Sequence, residues 1–67
     1  MSSNFIITIH YNPGMPKRYA VIGAATWYAA KQAVLREIGY NPGVEISWLT
    51  LREGDAADQM IYMRSAS

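Results

Sequence analysis

The chain has 67 residues, no cysteine, one histidine and a formal net charge of +1, with 51% hydrophobic and 16% charged residues. That composition describes one small globular domain, excludes disulfides and thiolate metal sites, and leaves His10 unable to build a zinc site unaided. No run approaches the roughly 18 apolar residues needed to cross a bilayer, and the opening Met1-Ser-Ser-Asn4 lacks the basic stretch of a signal peptide, so a soluble cytoplasmic protein without membrane association is expected.

Charge is unevenly placed. Residues 1–36 hold Lys17, Arg18, Lys31 and Arg36 and no acid, whereas residues 37–67 set Arg52 and Arg64 against Glu37, Glu45, Glu53, Asp55 and Asp58. Such polarity steers a molecule toward a charged partner if folding keeps the halves apart.

In chain order, Phe5 to Tyr11 is rich in β-branched and aromatic residues and places Phe5, Ile7, Ile9 and Tyr11 on one apolar face of a first strand. Asn12-Pro-Gly-Met-Pro16 predicts a type II turn. Lys17 to Gly23 alternates again, with Tyr19 and Val21 on one side and Arg18, Ala20 and Ile22 on the other, and is expected to pair with the first strand. The run from Thr26 to Gly39 is the helix: Thr26 caps its start and Gly39 its end. Trp27, Ala30, Val34 and Ile38 form its core stripe, while Gln32 and Arg36 point away.

Tyr40-Asn-Pro-Gly43 repeats Tyr11 to Gly14, and turn chemistry accounts for both. Val44 to Leu51 predicts a third strand with Val44, Ile46 and Trp48 toward the helix. Asp55-Ala-Ala-Asp58 resembles a helix start, but Met60, Ile61, Tyr62 and Met63 would leave such a helix no polar face, so Gln59 to Arg64 is read as a fourth strand. The expected class is α+β: a four-stranded antiparallel sheet in the order 2-1-3-4, one helix across one face, and strands two and four at the edges.

One helix covers one side of such a sheet. The other carries Ile6, Ala20, Ile22, Leu49, Leu51, Met60 and Tyr62 among Thr8, His10, Arg18, Glu45, Ser47 and Arg64, and this much apolar surface points to a protein partner or a homo-oligomer. His10 stands mid-strand with no serine or acid near it in sequence and reads as a surface residue. Glu53, Asp55 and Asp58 lack the ligand ladder of a calcium loop, and no phosphate-cradling loop or nucleophile elbow is present. No enzyme activity, cofactor or metal is expected.

Two binding readings remain. Beside the core stripe, Tyr28, Lys31 and Leu35 lie at i, i+3 and i+7, where polar residues are usual; with Lys17, Arg18 and Arg36 they form the candidate partner-binding set. The same cations, with Tyr19 or Tyr62 stacking on bases, make nucleic acid the alternative partner. The strand pair, the opening Ala24-Ala25-Thr26, the helix segment Ala30-Lys31-Gln32 and the second strand pair together resemble small phage-encoded anti-CRISPR proteins of the type I-F class. The resemblance spans most of the chain by layout and these few residues by sequence. It implies a non-enzymatic inhibitor, acting in the host cytoplasm, that docks on a CRISPR surveillance complex by charge complementarity with its nucleic-acid-binding subunits; no site residue transfers.

Overall fold

The alternation seen in the sequence becomes four strands and a helix in the computed structural model, which describes residues 3–11, 14–39 and 43–63. The elements are β1 (Ser3–His10), β2 (Lys17–Ala24), α1 (Trp27–Ile38), β3 (Glu45–Thr50) and β4 (Gln59–Tyr62). Asn12 and Pro13 of the predicted turn, Tyr40 to Pro42 of the second repeat, and Arg64 lie outside the described residues.

β1 and β2 pair antiparallel, with Ile7 opposite Tyr19 and Phe5 opposite Val21. The register slips between Ser3 and Phe5, where the Asn4 side chain accepts a 3.0 Å hydrogen bond from the Gly23 N–H. β3 lies antiparallel on the other side of β1, with Trp48 opposite Ile7. Phe5, Ile7, Ile9, Tyr19, Val21, Ala24, Ala30 and Val34 form the buried core, and Tyr11, Ile38, Val44, Ile46, Ile61 and Met63 pack around it. The faces read from the alternation therefore hold for all four strands.

The sheet order does not hold. The strands run β3-β1-β2-β4, and β4 pairs parallel with β2 instead of forming a hairpin with β3. The edges are consequently β3 and β4, and β2 is internal. Asp58 explains the choice: its N–H donates to the Arg18 carbonyl at 2.8 Å and its Oδ2 accepts from the Arg18 N–H at 2.8 Å, so it fixes the start of β4 on β2. The Met63 N–H donating to the Ile22 carbonyl fastens the other end. Placed there, Ile61 and Met63 close the core on a side that a β3–β4 hairpin would leave open.

This topology demands that residues 51–58 cross the sheet from one edge to the other. The β2–α1–β3 connection crosses in the opposite sense, so for both crossings to have the usual right hand, residues 51–58 must traverse the face away from α1. Burial accords with this. Ile6 and Ala20 point to that face, yet are 0% and 3% exposed, and Arg18 on the same face shares a depression with Ala56 and Ala57. The expected apolar outer face is thereby divided, leaving Leu49 exposed near one edge and Met60 and Tyr62 near the other. Among the described residues no helix is long and apolar enough to cross a membrane.

Candidate functional site

The start of α1 sets the geometry of the most distinctive surface. Thr26 has extended backbone angles and its Oγ1 accepts a 3.1 Å bond from the Ala29 N–H, as a cap should. That stop fixes Trp27 as the first helical residue and Tyr28 as the second. Neither is enclosed: Trp27 is 39% exposed and Tyr28 55%. Below them Trp48 projects from the edge strand β3 and is 42% exposed, because α1 packs chiefly over β2 and β1.

These side chains are held together. Trp27 and Trp48 stack with ring centroids 5.6 Å apart and planes 5° from parallel, an offset arrangement that the ring quadrupoles favour. Phe5 meets Trp48 edge-on at 5.7 Å and 77°, tying the pair to the core. Tyr28 stands across Trp27 at 6.0 Å and 84°. One turn further along α1, the Lys31 ammonium lies 5.3 Å from the Trp27 centroid and 4.8 Å from that of Tyr28, within cation–π range of both. The result is a ledge of three exposed aromatic rings topped by one cation. Among the described residues no carboxylate pairs with Lys31, and the two indole N–H groups and the Tyr28 hydroxyl form no hydrogen bonds.

The expected site residues do not converge. Tyr28 and Lys31 belong to the ledge. Leu35, on the same flank, is buried, at 9% exposure. Arg36 is exposed near the C-terminal end of α1 and lines two depressions, one shared with Gln32 and Leu35 and one with Glu37, Ile61 and Tyr62, so it stands between the two flanks of the helix and apart from the ledge. Lys17 is exposed at the start of β2 opposite Ile9, and Arg18 is half-buried on the face away from the helix. Trp27 and Trp48, which the sequence places toward the core, are the partners it missed. The available signal was a tryptophan at the first helical position, where a ring can project past the packed turns.

A second polar constellation also escapes the sequence. His10 Nε2 lies 3.1 Å from Ser47 Oγ, although 37 positions separate them. His10 sits opposite Glu45 and Ser47 opposite Thr8, all on the face away from α1. A serine–histidine contact is one requirement of a nucleophile, but acyl transfer also needs oxyanion donors and a walled site for the scissile bond. His10 and Ser47 are both exposed on a sheet surface, and Glu45 forms no ion pair with the imidazole to orient it. The contact is a hydrogen bond between surface side chains.

Two of the three loop acids are likewise committed to backbone. Asp55 Oδ2 accepts from the Arg52 N–H at 2.8 Å, closing the turn that contains Gly54, and Asp58 holds β4. Among the described residues no three histidine, aspartate or glutamate side chains gather into a metal-binding group. No protein-family model matches the chain, and neither a curated protein nor a solved structure matches it.

Proposed function

We propose that the protein is a non-enzymatic binding module that recognises another protein through the ledge of Trp27, Tyr28, Trp48 and Lys31. The observation that carries this reading is the exposure of three aromatic rings joined through Trp27, which packs against both Tyr28 and Trp48. Aromatic side chains are enriched at the energetic centres of protein interfaces, where rigid rings contribute large contact area at small entropic cost. A solvent-facing cluster already ordered by stacking is prepared for such contact.

The ledge favours protein over nucleic acid. Base stacking needs free ring faces and a track of cations along the backbone. Here Trp27 is engaged by both Trp48 and Lys31, and among the described residues Lys31 is the only cation on the ledge. Lys17 and Arg18 lie on β2, with β1 between them and β3, and Arg36 stands near the C-terminal end of α1, away from Trp27 at its start. On this reading the type I-F anti-CRISPR resemblance becomes a specific proposal: an inhibitor that seats the ledge on a protein subunit of a host surveillance complex.

The test uses the full chain as bait, wild type and a Tyr28→Ala/Lys31→Glu variant, in nuclease-treated host lysate and against purified type I-F surveillance complex. A protein retained by wild type and lost by a variant of unchanged circular dichroism supports the reading. Retention by the variant refutes the assignment of the ledge. Loss of every partner on nuclease treatment returns the argument to nucleic acid, and failure to bind the purified complex removes that target alone.

A further inference from the structure

The strand beside the ledge tells what form the partner takes; this inference rests on the binding reading above. β3 is an edge strand, so among the described residues one side of its backbone has no strand to pair with. Natural edges are blunted by lysine, proline, bulges or a covering segment. β3 carries none of these residues or irregularities, and its single charge is Glu45 at its start. On the helix side, α1 covers Trp48 with the stacked Trp27 ring alone, and Trp48 stays 42% exposed.

A strand added there would lie about 4.8 Å from β3, with its helix-side residue opposite Trp48 at a Cβ separation of about 5 Å, in reach of the exposed indole and Tyr28. Direction along the ledge is fixed by the topology. α1 runs from the Ala24 end of the sheet to the Glu45 end, so Lys31 lies about 6 Å, one helical turn, beyond Trp27 toward Ile46. Two residues along a strand span about 7 Å. The Lys31 side chain leans back toward the rings, its ammonium 5.3 Å from the Trp27 centroid and 4.8 Å from that of Tyr28, so the next helix-side residue of the added strand, on the Ile46 side, is the one whose side chain can reach up to that ammonium, which has no carboxylate of its own among the described residues.

We propose that the ledge binds an extended segment of another protein, which adds to β3 as a fifth strand with a large apolar side chain against Trp48 and Tyr28 and a carboxylate two residues away under Lys31. A second copy of this chain fits less well. Its own β3 offers no acid on the helix side, since Glu45 belongs to the opposite face, and a twofold axis would bring two Lys31 side chains toward each other.

The test pans a phage-displayed library of random nine-residue peptides on the immobilised full chain. Enriched peptides should pair a large apolar residue with Asp or Glu two positions away, weaken by about tenfold on Lys31→Glu, and regain affinity when their acid is changed to lysine. Bound peptide should shift and protect alternate backbone amides of β3. Lys31→Gln, which keeps the side-chain length without the charge, should weaken binding in the same direction. Enriched peptides without the acid, undiminished affinity for Lys31→Glu, perturbations that spare β3, or no enrichment over blank support would each overturn the proposal. If the ledge variant loses a partner in lysate while no peptide enriches, strand addition fails and the binding reading stands.

Discussion

The binding reading requires the ledge to be ordered before any partner arrives, and the stack of Trp27 on Trp48 is the contact that would order it. Replacing either ring by leucine keeps much of the apolar burial and removes the ring-on-ring contact, so a double-mutant cycle isolates the pair. Roughly three-fifths of each tryptophan's surface is buried, given exposures of 39% and 42%. Leucine recovers part of that area, leaving a loss of about 1–1.5 kcal/mol for each single change at roughly 25 cal/mol per Å². Trp48→Leu should lie at the upper end because it also forfeits the edge contact with Phe5. If the stack contributes as aromatic pairs do, the double variant loses about 0.5–1.5 kcal/mol less than the sum of the singles. Urea unfolding followed by circular dichroism measures all four proteins. Additivity within about 0.3 kcal/mol would show the rings to be independent and the ledge not preformed.

Three further changes probe the frame that positions the ledge. Asp58→Ala removes the acceptor for the Arg18 N–H at the start of β4; a loss of about 1–2 kcal/mol is expected, with faster amide exchange from Met60 to Met63 and little change in the β1–β3 pairing. Uniformly faster exchange across the sheet would mean that β4 is not separately anchored. Gly23 has φ of +82° and a Cβ there would stand 3.4 Å from the Met63 carbonyl oxygen, so Gly23→Ala should cost about 1–2 kcal/mol in thermal unfolding, and a neutral result would contradict that backbone. Burial, then the neighbouring Tyr11 and a hydrogen bond with it, raise the Tyr19 phenol above its ordinary 10.0. A neutral phenol favoured by folding contributes fully below pH 10 and loses that contribution as pH rises through the raised value. Wild type should therefore lose more stability on the alkaline side than Tyr19→Phe, and parallel pH profiles would exclude Tyr19 as the cause.

The sequence's alternation was a reliable guide to faces and a poor one to neighbours. Phe5, Ile7 and Ile9, Tyr19 and Val21, and Ile61 and Met63 all lie on the side that their spacing assigns, because a buried face selects one phase of a strand. Yet Ile61 and Met63 point inward equally well beside β3 or beside β2. What decides is the pair of backbone bonds at Asp58, a residue whose chemistry in sequence reads only as loop or cap. The helix caps were legible for the opposite reason: Thr26 and Gly39 act within a few residues of themselves. The candidate site was only half legible. Periodicity found Tyr28 and Lys31 as misplaced on a solvent face, but it put Trp27 in the core and drew Lys17, Arg18 and Arg36 into one set although the sheet puts Arg18 on the face away from the helix.

The strand order β3-β1-β2-β4 is also what exposes the ledge. In the order 2-1-3-4, strand three is internal, and Trp48 would be flanked by β4 and enclosed under the helix. With β4 carried across to β2, β3 becomes an edge, α1 stays over β1 and β2, and Trp48 is left with one side packed on Phe5 and Trp27 and the other side open. The same topology that sends residues 51–58 across the sheet goes with buried Ile6 and Ala20 on the face away from the helix, at 0% and 3% exposure. One topological choice therefore removes part of the apolar surface from the outer face and opens an aromatic surface beside a free strand edge on the helix side. A variant that forced β4 back beside β3 would bury Trp48 and quench the ledge, so loss of binding in such a chain should accompany a fall in tryptophan exposure to a neutral quencher. Binding that survived with Trp48 inaccessible would place the contact elsewhere, on the divided face that Leu49, Met60 and Tyr62 still expose.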